Sequence, residues 1–172
     1  PLLQYANTLT IPIVLSTGGA TAAEITHAVA ALGNAYRAER LALLHCRSLY
    51  PCPVEAANLR AITSLERRYP LAIPGWSDHT LSTMIPSMAV CAGARIIEKH
   101  LTLADSQGVD AGHSLTPAEF AIMVGAITQA ITILGPTTKA VHPGEMHERA
   151  WARRDPSDYL RPTMAGRMGK WE

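Results

Sequence analysis

Aromatic residues are scarce in this chain, at 5% of 172 residues, and the formal charge is only +1. Nucleic acid and anionic membrane surfaces are held chiefly by clustered cations, so neither is an expected partner. Cysteine is rare too. Cys46, Cys52 and Cys91 are an odd trio, and five residues separate the first two, against roughly two to four between paired zinc ligands. That pattern fits a reduced, cytoplasmic chain. No uninterrupted apolar run approaches the ~18 residues of a membrane-crossing helix, and no basic stretch precedes an apolar one at the N-terminus. Pro1 stands where an initiator methionine would, which points to a cut or incomplete chain.

What is present is the composition of a globular domain, 48% apolar and 17% charged. Residues 1–8 read as the tail of a helix. Apolar, β-rich runs then recur at residues 11–15, 41–45, 71–75 and 94–99, each short and continuous, as in parallel strands covered on both faces. Between them lie helical segments. One starts at Ala22 behind a Thr21/Glu24 capping box and stops at Gly33-Asn34; others cover residues 54–68 and 81–92. A Thr116/Glu119 box opens a last helix that reaches Leu134-Gly135. Strand, helix and strand alternating with short connections predict a parallel α/β fold over residues 1–135. Residues 136–172 add prolines and basic residues with little apolar periodicity, and read as a linker or tail in which His142, Glu145 and His147 are solvated.

The polar words fall at the strand ends. In Gly75-Trp76-Ser77-Asp78-His79-Thr80, alternation puts Ser77 and His79 on one side; in Ile97-Glu98-Lys99-His100-Leu101-Thr102 it does the same for Glu98 and His100. The histidines are 100 − 79 = 21 residues apart. A helix returning the chain to a parallel neighbour would set them side by side, ~5 Å apart in backbone. Two neutral imidazoles suit a borderline divalent ion such as Mn, Fe or Zn and leave positions open for a Lewis acid to use. The Ser16-Thr17-Gly18-Gly19 loop before a helix start is a natural place for an anion. Ser48 and Tyr50 share a side of the loop stiffened by Pro51 and Pro53, and both carry hydroxyls.

These two words, with Pro12-Ile13-Val14-Leu15-Ser16-Thr17-Gly18, Leu43-Leu44-His45-Cys46-Arg47-Ser48-Leu49-Tyr50-Pro51 and Ser114-Leu115-Thr116-Pro117-Ala118-Glu119, resemble the sialic acid synthase family over roughly residues 1–135. The resemblance implies a TIM-type (β/α)8 barrel of which this chain carries the second half, strands five to eight, since a complete barrel takes ~250 residues. It also implies a small C-terminal domain beyond residues 136–172. The implied reaction is a transferase's: phosphoenolpyruvate condenses with an N-acetylmannosamine-type sugar, assisted by a divalent metal, Mn or Mg, on His79 and His100. Ser16, Ser48, Tyr50 and Ser77 would hold phosphoenolpyruvate, although family members often carry Asn in place of Ser48. Glu98 would move a proton or position water, and Asp110, in a Gly-x-Asp word, would orient sugar hydroxyls. The resemblance further implies a homo-oligomer, and lysines and a glutamate that belong to the other half of the barrel. The competing expectation is a catalytically silent half-barrel that binds a metal or a partner chain through its exposed sheet edges.

Overall fold

The computed structural model describes residues 1–103 and 108–152. Among these, β1 (Ile13–Ser16), β2 (Leu41–Cys46), β3 (Ile73–Asp78) and β4 (Ile96–Lys99) form a four-stranded sheet in chain order, each neighbouring pair parallel. The expected α/β class is thus present. The crossovers are α2 (Ala22–Ala31) with α3 (Gly33–Arg37), then α4 (Arg60–Arg68), then α5 (Ile85–Cys91). Helix α1 (Leu2–Ala6) precedes the sheet, and α6 (Pro117–Leu134) follows it. The chain divides into two units, Pro1–Gly135 and Pro136–Glu172.

The register sorts the side chains. Ser16, Leu44, Gly75 and Ile96 lie in one row across the sheet, and Cys46, Ser77 and Glu98 in the next, all on one face. The opposite face carries Leu41 and Leu43, packed with Val29, Leu32, Tyr69 and Ala72, and Trp76, packed with Ala57, Ile62, Ala89 and Ala94. Each large apolar side chain fully buried there contributes ~1.5–3 kcal/mol. Central strand β2 is buried at every residue, whereas edge strand β1 leaves Val14 53% exposed on the polar row's side. Gly75 is required where it stands, because a Cβ would lie 2.8 Å from the Ile96 carbonyl oxygen and overlap Leu44.

Beside the apolar clusters sits a buried ion pair that the sequence reading missed. Lys99 Nζ lies 2.9 Å from Asp78 Oδ2, both side chains are fully buried, and the two residues are register partners. Lys99 also donates to the Thr80 carbonyl, and Asp78 Oδ1 accepts from the Thr80 N–H at 2.8 Å. With these bonds the desolvated charges are matched and the chain after β3 is tied to β4.

Both capping boxes form. The Thr21 and Thr116 N–H groups donate to Glu24 and Glu119 at 2.7 and 2.8 Å, which holds both carboxyls below their ordinary range. Several boundaries differ from expectation. Gly33 starts α3 instead of ending a helix; the Ala35 carbonyl, inside α3, accepts from Arg40 N–H, and the turn comes at Glu39, whose φ is 55°. The expected helix over residues 54–68 breaks into a 3-10 turn (Val54–Ala56) and α4, because Asn58 sits at φ 48°. α5 begins later than residue 81, as the Ser82 hydroxyl accepts from Met84 and Ile85 N–H and makes a turn first. β1 and β3 are shifted by two or so residues toward their C-terminal ends. In the second unit, residues 136–152 hold a 3-10 turn (Pro143–Glu145) and α7 (Met146–Ala152), where the sequence suggested only a tail. Residues 104–107 and 153–172 lie outside the described residues. Helix α6 is 18 residues long with mean hydropathy 1.5, enough by length and composition to cross a membrane; its interrupting Thr, Gln and Glu residues hid this from a search for unbroken apolar runs.

Two outcomes are expected. Lys99→Met leaves Asp78 buried without its cation and lowers unfolding free energy by ~3–5 kcal/mol in urea titration, while the double replacement Asp78→Leu/Lys99→Met costs less than that single change. His45 lies on the helix-covered face, its Nε2–H donating to the Ala57 carbonyl at 3.0 Å and its ring packed on Trp76, and burial pushes its pKa below the ordinary 6.5. The unfolded chain therefore binds the extra proton first as pH falls below 6.5, and stability declines from there toward the lower folded value. Thermal melts from pH 8 to 5 should show this slope reduced in His45→Gln.

Candidate functional site

The polar rows of the sheet open into a cavity of about 310 Å³ at the C-terminal ends of the strands. Its lining comprises Ser16 at the end of β1 and Gly18 after it, Cys46, Ser48 and Tyr50 from β2 and its loop, Ser77 in β3 with His79 just past it, and Glu98 in β4 with His100 just past it. Of the predicted site residues, Asp110 alone is outside this lining. It stands beside it, with its carboxylate 3.7 Å from His100 Nδ1 and 3.4 Å from His113 Nε2.

Strand register explains the central contact. Ser77 and Glu98 are partners on adjacent parallel strands, and the Ser77 hydroxyl donates to Glu98 Oε1 at 2.6 Å. Ser77 is buried and Glu98 exposed to the cavity, so the hydroxyl steers a carboxylate that reaches open space. Two residues further on, His79 and His100 continue the same face with ring centroids 5.3 Å apart. His79 Nδ1 is 2.8 Å from the Arg47 carbonyl, which can only accept; Nδ1 therefore carries the hydrogen, and Nε2 keeps a lone pair free for an ion or a proton. The Tyr50 ring lies over His79 at 4.2 Å and meets His113 at 5.0 Å, which makes the exposed tyrosine a wall between the two imidazoles and solvent.

Three contributors were not among the expected site residues. Cys46 is the register partner of Ser77, and its sulfur is 3.9 Å from His79 Nδ1. Burial pushes its thiol up, so it serves as a neutral wall and not as a thiolate. Gly18 lets the first loop approach, since a Cβ there would come within 3.0 Å of the Cys46 sulfur. His113 is buried in a short 3-10 turn (Ala111–His113), with its ring 4.7 Å from that of His100. Its i,i+3 spacing from Asp110 was the available signal. A second cavity, of about 380 Å³, lies between α2 and α4 and is lined by Thr17, Arg47, Ser64 and Arg68 among others; no predicted site residue is in it.

Comparison with known proteins places the chain in a family. The model of the NeuB family matches residues 1–139. The chain is 36% identical over 159 residues to the N,N'-diacetyllegionaminic acid synthase of Legionella pneumophila, covering 90% of this chain and 44% of that protein. To the N-acetylneuraminate-9-phosphate synthase of Drosophila melanogaster it is 40% identical over 129 residues, 74% of this chain and 34% of the other. The N-acetylneuraminic acid (sialic acid) synthetase of Leptospira borgpetersenii serovar Hardjo-bovis, solved in complex with citrate, superposes with a TM-score of 0.80 at 36% identity, covering 87% of this chain and 52% of that one. The chain thus spans about half the length, or less, of the relatives it matches. Over residues 1–139 this chain belongs to the NeuB family, whose relatives here are sugar acid synthases.

Proposed function

We propose that the chain forms strands five to eight of a sialic acid synthase barrel, part of a transferase that condenses phosphoenolpyruvate with an N-acetylmannosamine-type sugar. The observation that carries this reading is the cavity in which Ser16, Ser48, Tyr50, Ser77, His79, Glu98 and His100 meet at the strand ends. Residues 136–172 then serve as the linker toward a further domain, and the reaction belongs to a homo-oligomer in the cytoplasm.

The donor set suits the implied metal. His79, with Nδ1 held by a carbonyl, and His100 beside it would hold a divalent ion; imidazole fits manganese better than magnesium, which prefers oxygen. When bound, such an ion polarises a substrate carbonyl as a Lewis acid. The protein's own groups do the remaining work. Ser16 and Ser48, both exposed to the cavity, and the Tyr50 hydroxyl offer donors to the phosphate and carboxylate of phosphoenolpyruvate. Ser77 at present donates to Glu98, so it contacts substrate by turning its hydroxyl away, which frees the Glu98 oxygen to take or give a proton. Asp110, exposed beside His100, would orient sugar hydroxyls. The citrate-bound Leptospira relative is consistent with a site for a small acid.

A second reading, a silent half-barrel that works by binding a partner chain, is favoured by one observation. Val14 on β1 and Ile122, Ile131 and Ile133 on α6 are 53%, 62%, 57% and 76% exposed, leaving apolar surface uncovered.

In the full-length enzyme, His79→Ala and His100→Ala should each lower condensation by more than ~100-fold, with the double variant no worse than either single one. Near-normal turnover of both single variants in the presence of chelator would overturn the assignment. Light scattering on the isolated 172-residue chain should show association. A monomer that stays clear and melts cooperatively at high concentration would remove the support for the second reading.

A further inference from the structure

We propose that His113 is a metal ligand, and that His100, Asp110 and His113 form a divalent-cation site adjoining the His79–His100 pair. The proposal rests on the functional reading above to the extent that it takes His100 to be a ligand.

His113 is 7% exposed, and its Nε2 is buried without a hydrogen-bond partner. Buried polar nitrogens are nearly always bonded, so one left without a partner and facing a carboxylate asks for an occupant of the space between. The Asp110 carboxylate lies between the two imidazoles at 3.4 and 3.7 Å, beyond the ~2.7–3.2 Å of an N–H···O bond on either side. One ligand atom from each of the three residues falls within 4.8 Å of the others. Atoms bound to a common ion at ~2.0–2.2 Å lie no more than ~4.4 Å apart, so a slight inward movement closes the set.

The backbone holds the cluster independently of any ion. Leu115 N–H donates to the His100 carbonyl at 3.0 Å and Thr102 N–H to the Leu115 carbonyl at 2.9 Å, which fastens the loop to the end of β4. The Ser114 hydroxyl donates to the Asp110 carbonyl at 2.6 Å, and the 3-10 turn sets positions three apart on one side. Two imidazoles with one carboxylate leave open positions and suit Fe(II), Co(II), Zn(II) or Mn(II) over Mg(II). The consequence is tighter binding than two histidines alone support, and a preference for ions that favour nitrogen.

Co(II) is a direct probe, because its visible absorption reports coordination without turnover. Chelator-treated full-length enzyme is titrated with cobalt chloride by absorbance and calorimetry, beside His113→Phe, His113→Gln, Asp110→Asn and His79→Ala, each checked for an unchanged melt. Loss of even an outer-shell partner costs ~10–100-fold in metal affinity, so removing His113 or Asp110 should weaken cobalt binding at least ~10-fold and change its spectrum. Should His113→Phe fail to fold, His113→Gln decides. Natural affinity and spectrum in the foldable His113 variant, with binding lost in His79→Ala, would overturn this site and leave the two-histidine reading standing. Binding lost in the His113 and Asp110 variants but kept in His79→Ala would uphold this site and remove His79 from the metal. Binding unchanged in every variant, or absent from the natural sequence, would overturn it.

Discussion

The buried pair of Asp78 and Lys99 is the constraint on which the site depends. Each residue immediately precedes a histidine of the site, and alternation sends the charged side chain to one face of the sheet and the imidazole to the other. A lysine placed among apolar helices demands its carboxylate, and the carboxylate's second oxygen captures Thr80 N–H. Polar matching behind the sheet thereby sets the relative position of two strand ends in front of it. His79 and His100 are neighbours because Asp78 and Lys99 must be.

The two faces divide the labour. Apolar clusters around Leu43 and Trp76 glue helices to the back of the sheet, and rows that begin with small or polar residues, Ser16 with Gly75 and Cys46 with Ser77, leave room in front. Most of the front is not yet a closed interior. Ser16, Ser48 and Glu98 are exposed on this face of the four-stranded sheet.

The first two strand-end words were legible because strands alternate with period two, so the same-face relation of Ser77 with His79, and of Glu98 with His100, follows from counting. Capping boxes at Thr21 and Thr116 were legible for the same local reason: three-residue spacing and side-chain chemistry suffice. The break at Asn58 was not, because a left-handed residue inside an otherwise amphipathic run carries no periodic signature. Nor was α7, whose short length offers too few turns for a pattern to emerge.

By itself, then, the sequence determined the alternating elements, the parallel class and the identity of the residues at the strand ends, since these rest on local spacing and on the short reach of each helical crossover. Tertiary structure decided the contacts beyond the expected His79–His100 pair. Register made Ser77 the partner of Glu98, and the turns beyond the strand ends brought His79 against Cys46 and His113 against His100, contacts between residues 13 to 33 positions apart in the chain. Such distances are settled by packing energy and hydrogen-bond geometry summed over the whole sheet, which no short stretch of sequence contains.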